Sequence, residues 1–192
     1  PESNLTLRYA IEDAKSVNMA KDTIEKAIKK ASGEGDEGVT YEEVRYEGYG
    51  PGGIAIIVDV LTDNVNRTAP EMRKLFEKGN GNLAKPGSVA FGFSSAGIIL
   101  IEDAHTSEEE LMEVALDAGA SDIIQNEGLW EVTCEPADYL DVRKAIEGAE
   151  IPMVSSEVTM VPASQVSCDV DLGAKMLKMI ESFEDHDDVQ NV

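Results

Sequence analysis

The stretch from Gly97 to Glu135, GIILIEDAHTSEEELMEVALDAGASDIIQNEGLWEVTCE, changes its hydrophobic period twice, and those changes decide the fold. "GIILIED" (97–103) is an apolar, β-branched run that reads as a strand. Ser107 and Glu110 then have capping-box spacing, and Leu111, Val114, Ala115 and Ala118 fall on one helical face before Gly119. "SDIIQNE" (121–127) turns at Gly128 into "LWEVTCE" (129–135), where Trp130, Val132 and Cys134 alternate with Glu131, Thr133 and Glu135. Pro136 opens a second helix that buries Tyr139, Val142 and Ile146 and stops at Gly148, and "SEVTMV" (156–161) is the last strand. The order βαββαβ predicts a ferredoxin-like unit over Ala96–Pro162.

On both sides of this unit the pattern is that of a different domain. "VTYEEVRYE" (39–47) and "IAIIVDVLT" (54–62) read as strands joined through "YEGYGPGG" (46–53). Thr68-Ala-Pro-Glu71 has the capping-box spacing of a helix that buries Met72, Leu75 and Phe76, and "SVAFGF" (88–93) reads as a further strand. Beyond the unit, Asp169 and Asp171 can cap a helix carrying Leu172, Met176, Ile180 and Phe183. "DDVQNV" (187–192) then starts a strand, and its natural partner is the earlier sheet. Upstream, Leu7, Ala10, Ile11, Ala14 and Val17, then Ala20, Ile24, Ala27, Ile28 and Ala31, recur at helical spacing. "SGEGDEG" (32–38) follows as a linker. The expected fold is α+β: a helical N-terminal piece (1–38), an α/β-sandwich middle domain (39–95 plus 163–192) and a ferredoxin-like domain (96–162) inserted into it.

Charge narrows the function. The 192 residues hold 38 acidic and 16 basic side chains, net −22, which opposes generic attraction to phosphate backbones or anionic lipid. The imbalance is uneven: residues 1–96 carry net −3 and residues 97–192 carry net −19, so the second half is a candidate face for a protein partner. Cys134 and Cys168 form no C-x-x-C pair, so neither a disulfide framework nor a zinc site is indicated and a reducing cytoplasm fits. No apolar run reaches the ~18 residues a membrane helix needs.

The glycine loop matches G-x-G-x-x-G at Gly48, Gly50 and Gly53, yet a dinucleotide fingerprint needs a helix after the glycines and a strand follows. A kinase loop would need a lysine on that strand, and Ile54–Thr62 has none. The loop therefore reads as a tight turn between strands. His105 and His186 read as exposed, unpartnered side chains, and "EDHDDV" (184–189) as a solvated charge run without the register of an EF-hand. No catalytic set, cofactor or metal is indicated.

Residues 64–86 depart from this acidity, with Arg67, Arg73, Lys74, Lys78 and Lys85 against Glu71 and Glu77, net +3. Lys74 and Lys78 share a helical face opposite Met72, Leu75 and Phe76, so a phosphate-contacting surface is geometrically possible. Charge alone favours the plainer reading, a solvated face on which Arg73 pairs with Glu77 and Lys74 with Glu71. The inserted unit has no aromatic in "GIILIED" and one tryptophan among glutamates in "LWEVTCE", which argues against base stacking on its sheet.

Six segments, "YEGYGPGG" (46–53), "TDNVNRT" (62–68), "GNL" (81–83), "GSVAF" (87–91), "AGASDI" (118–123) and "DDVQNV" (187–192), stand in an order and spacing similar to the YebC/PmpR family. Asn80 occupies a position where that family usually carries a second glycine, and the family's basic opening segment is absent, so the chain reads as truncated at its N-terminus. The resemblance implies a cytoplasmic, three-domain, non-enzymatic protein. It implies DNA binding with transcriptional regulation or, alternatively, RNA or ribosome contact by a translation factor acting on proline-rich stalling. A ligand-sensing or protein-interaction module is the rival from another class. By resemblance the glycine loop, with Tyr46 and Tyr49, and the Asn64–Thr68 segment, with Asn64, Asn66 and above all Arg67, belong to one surface. Arg73, Lys74, Lys78 and Lys85 complete the expected nucleic-acid site.

Overall fold

The computed structural model describes residues 4–31 and 40–192; the expected linker at 32–38 lies outside them. The chain runs α1 (Leu5–Ser16), α2 (Lys21–Ala31), β1 (Glu42–Tyr49), β2 (Ala55–Thr62), α3 (Val65–Lys78), β3 (Asn82–Leu83), β4 (Phe93–Glu102), α4 (Glu108–Asp117), β5 (Ala120–Asn126), β6 (Leu129–Cys134), α5 (Tyr139–Gly148), β7 (Ser155–Pro162), α6 (Val170–Glu184) and β8 (Val189–Asn191). Two four-stranded sheets result, ordered β5-β6-β4-β7 and β3-β1-β2-β8. The described residues form two compact units: α1 and α2 group with Ser95–Val161, and the chain from Thr40 to Ser94 groups with Pro162–Val192.

The first sheet has the ferredoxin-like order, its two central strands being the first and third of the βαββαβ run. One face carries Ile99, Ile101, Trp130, Val132 and Cys134, all buried against Leu111 and Ala115 of α4 and Tyr139, Val142 and Ile146 of α5. Trp130 therefore belongs to the helix-covered core. The hairpin between β5 and β6 turns through Glu127 (φ 50°) and Gly128 (φ 87°), the left-handed pair that a two-residue loop needs. Ser107 caps α4 by accepting from Glu110 N at 3.2 Å, whereas the Glu110 carboxylate turns to the Thr106 hydroxyl at 3.0 Å, so half of the expected capping box is present. Helix α5 begins at Tyr139, three residues beyond Pro136. Helix α1 packs on α5: Tyr9 meets Tyr139 edge-on at 5.3 Å, its hydroxyl donates to the Pro136 carbonyl, and Arg143 pairs with Asp13 at 2.5 Å.

In the second unit β1 and β2 pair antiparallel from Glu42↔Thr62 to Tyr49↔Ala55, and β8 joins the far side of β2 with Val189 opposite Val60. The pleat sends Tyr46, Ile56, Val58 and Val60 to one face, where α3 and α6 cover them with Met72, Phe76, Met176, Met179 and Phe183. Arg45, Glu47, Tyr49 and Ile57 consequently point to the opposite face, which the chain between β3 and β4 crosses.

Two expected boundaries shift for local reasons. Helix α3 starts at Val65 rather than Thr68, because Asn64 is the cap and its side chain accepts from Arg67 N at 3.2 Å. "SVAFGF" is not a strand: Ala90–Gly92 is a 3₁₀ turn and β4 begins at Phe93. The amides of Gly87, Val89 and Ala90, which a strand would give to a neighbour, are instead taken by the Glu47 carboxylate at 2.6, 2.8 and 2.8 Å. Asn80 adopts φ 58°, a left-handed conformation asparagine tolerates, so the turn after α3 keeps the backbone a glycine would supply.

Candidate nucleic-acid interface

The structure distributes the expected site residues over several environments. Tyr46 is 9% exposed and sits in the core under α3 and α6, with its hydroxyl buried and without a hydrogen-bond partner among the described residues. This corrects the expectation that it faces a ligand: its cross-strand partner Val58 is fully buried on the same face, so the ring has no route to solvent. Tyr49 lies on the opposite face and donates to the Ser88 carbonyl at 3.2 Å.

The glycine loop closes on itself. Gly50 N donates to the Ile54 carbonyl at 2.8 Å and Gly53 N to the Gly50 carbonyl at 3.1 Å, so both amides are spent internally. Gly52 takes φ 74° beneath Leu172 of α6, a left-handed position under a packed side chain. The loop is thus a strand-to-strand connection, as its flanks predict. It also stands at the opposite end of β2 from Asn64, and eight strand residues span roughly 23 Å. The single surface expected to combine the loop with Asn64–Thr68 is therefore two surfaces.

Arg67 is the centre of an ion-pair network. Its guanidinium donates to Asp188 at 2.7 Å and lies 3.1 Å from Asp63. The Thr68 hydroxyl also donates to Asp188, at 2.7 Å, and Thr62 bonds Thr68 at 2.8 Å. Burial pushes the Asp188 carboxyl up, but the hydrogen bonds from Thr68, Arg67 and Thr62 outweigh it and hold the group at about 2. Two carboxylates compensate Arg67, so its role here is to fasten β8 to the start of α3.

His186 joins the same network, correcting its reading as an exposed, unpartnered side chain: its ring bonds Glu71 at 3.1 Å and its Nδ1 accepts from Asp188 N at 3.1 Å. Since Nδ1 accepts, Nε2 carries the proton toward Glu71 in the neutral ring. Of "EDHDDV", His186 and Asp188 are therefore structural, while Glu184, Asp185 and Asp187 stay exposed as in a solvated run. Glu71, His186 and Asp188 place potential ligand atoms within 4.8 Å of one another. The Asp188 carboxylate is committed to Arg67 and Thr68, however, and a cation there would have to displace a guanidinium.

What remains is the outer face of α3. Asn66, Arg73, Lys74 and Lys78 are exposed, and among the described residues none of the three cations has an ion-pair partner. The expected plain pairs, Arg73 with Glu77 and Lys74 with Glu71, do not form; Glu71 pairs with His186 instead. Lys85 is exposed in the chain beyond β3, and Asn64 is the helix cap. On Ser95–Val161, by contrast, Arg143 is buried between Asp13 and Glu147, leaving Lys144 as the exposed cation of that segment. The other cations of that unit lie on α1 and α2.

Sequence reasoning missed the Glu47 clamp because Glu47 shares a pleat face with Glu43 and Arg45 and looks solvated until the later loop covers it. It also missed the Asp188 network, although three hydroxyl and guanidinium donors within Thr62–Thr68 were a signal that a buried acid was needed.

Comparison with known proteins supplies the family to which this fold belongs. The chain belongs to the TACO1/YebC family: residues 41–192 match its second and third domains and residues 1–34 its N-terminal domain. It is 48% identical over its whole length to the probable transcriptional regulatory protein GSU1074 of Geobacter sulfurreducens, covering 77% of that protein. A probable transcriptional regulatory protein of Hahella chejuensis is 49% identical, with 77% of its length covered. The crystal structure of the conserved hypothetical protein Aq1575 from Aquifex aeolicus superposes with a TM-score of 0.82 at 41% identity, over all of this chain and 79% of that one.

Proposed function

We propose that the chain is a cytoplasmic, non-enzymatic regulator that binds duplex DNA through the outer face of α3. Arg73, Lys74 and Lys78 contact phosphates there, Asn66 extends the face toward the helix start, and Lys85, beyond β3, stays outside the set of phosphate contacts. The observation that carries the reading is the trio of unpaired cations on one exposed helix face, in a chain whose net charge is −22. Phosphate contacts of this kind give affinity and position rather than sequence choice. The relatives' names, probable transcriptional regulatory proteins, support regulation as the purpose.

Three neutralised phosphates give a salt slope of about −2.7, so affinity falls about 40-fold between 50 and 200 mM salt. Titration of labelled duplex DNA with the chain and with Lys74→Glu/Lys78→Glu tests this: the variant binds more weakly and its slope flattens toward about −0.9. An unchanged slope removes α3 from the reading. Preference for RNA or for ribosomes with the same slope keeps the site and moves the function from transcription to translation.

A further inference from the structure

On the face of the middle sheet opposite α3 and α6 lies a groove of about 510 Å³ that the α3 surface does not use. Ile54, Ala55, Val89, Phe91, Phe93 and Val166 supply its apolar lining. Phe91 is 87% exposed and Val166 69%, so the lining presents bare apolar surface to water. Single exposed apolar residues need no explanation, but several converging on one concavity do. The rim is polar without being charged. Ser88, Ser164 and Gln165 line it, their side chains make no hydrogen bond among the described residues, and the chain 164–168 has no strand partner for its amides. No Asp, Glu, Lys or Arg lines the groove, although such residues are 28% of the sequence.

The geometry points to a docking site for an extended, uncharged peptide segment of another protein, bearing apolar side chains at alternate positions. A charged occupant would be desolvated against this lining with no counter-charge to meet it. A nucleic acid would need cations, and no Lys or Arg lines the groove; Arg45, on the same sheet face, is paired with Asp59. An apolar small molecule would leave the free rim amides and hydroxyls unused. A peptide satisfies both halves, since alternate side chains enter the groove while its backbone bonds the rim and the free amides of 164–168. The groove is ready for it because Glu47 fixes the Gly87–Ala90 loop, so the lining next to Phe91 is held in place before any partner arrives.

The test uses the full chain, ¹⁵N-labelled, and two capped nine-residue peptides: one alternating Leu or Phe with Ser and Thr, and one with Lys and Asp in place of the apolar positions. The apolar peptide shifts the amides of Ile54–Ala55, Ser88–Phe93 and Ala163–Cys168, and the charged peptide does not. Phe91→Ser and Val166→Asp change exposed side chains, leave the remaining spectrum intact, and weaken binding at least tenfold. Four results overturn the inference: no shifts with the apolar peptide, equal shifts with the charged one, equal affinity in both variants, or the same amides shifting with oligo-dT. Self-association of the chain that both variants abolish also overturns it, in favour of a second copy as occupant. None of these results bears on DNA binding by α3, which Lys74→Glu/Lys78→Glu tests separately.

Discussion

Replacing Glu47 is the sharpest test of how the middle domain is held together. Its carboxylate accepts three backbone N–H groups, from Gly87, Val89 and Ala90, and is 5% exposed. A hydrogen bond to a charged acceptor contributes roughly 1.5–3 kcal/mol, and a buried donor left unsatisfied costs about 1–3 kcal/mol. In Glu47→Ala the exposed Gly87 amide finds water and the Ala90 amide does so in part, while Val89, 3% exposed, is stranded. The expected cost is about 3–4 kcal/mol against the loop's docked state, two to three orders of magnitude in amide protection at Val89 and Ala90. Glu47→Gln keeps one acceptor oxygen but sets an NH₂ against an N–H, and falls between. Burial pushes this carboxyl up, yet the three amides outweigh it and hold it below the usual glutamate range. Because the folded value is the lower one, the contribution is complete above about pH 4.5 and is lost as pH falls through the folded value. Protection factors at these amides, from NMR hydrogen exchange at pH 7 and pH 5, should therefore agree. Protection at Val89 and Ala90 within threefold of the parent in Glu47→Ala would refute the reasoning.

Other expectations follow from the same geometry. Tyr46→Phe removes a buried hydroxyl that has no partner among the described residues, so urea unfolding should show stability unchanged or raised by up to about 1 kcal/mol, with DNA affinity untouched. Asp188→Asn breaks the hold of Arg67 and Thr68 on β8; in the parent the folded pKa of about 2 lies below the ordinary aspartate value, so that hold is present above about pH 4 and is lost toward pH 2. Exchange at Val189 and Leu61 should report this loss, and the Asn variant should lose the pH dependence. Arg67→Ala should destabilise the same strand while leaving the DNA salt slope near about −2.7, because its charge is already compensated. Gly81→Ala drives a methyl into the Tyr49 carbonyl and Gly48→Ala one into the Phe76 ring, and circular dichroism should show thermal unfolding at least ~10 °C lower in each.

The elements that were legible in sequence are those whose burial follows a regular period. Leu111 and Ala115, then Trp130, Val132 and Cys134, announce their helix and strand, and the ferredoxin-like order follows. The glycine loop was legible too, since the strand after Gly53 settles its role. Elements fixed by a distant polar partner were not. "SVAFGF" has strand composition, and only Glu47, some forty residues earlier, makes its backbone turn. Arg67 looks like a free cation until Asp188 arrives from the far end of the chain, and Tyr46 looks available until two helices close over it. Local pattern reports which side of an element is apolar, but not which charged group on the other side will be claimed.

The pairing of Val189 with Val60 imposes an order of events during synthesis. The ribosome must translate the whole inserted domain before the final helix and strand can reach the half-built sheet that waits for them. Until then β2 presents an open edge, and the apolar residues that α6 will cover stay in water. A nascent chain halted between Pro162 and Phe183 is therefore half finished in a particular way, with one domain complete and the other sticky, which marks it for chaperones and proteases.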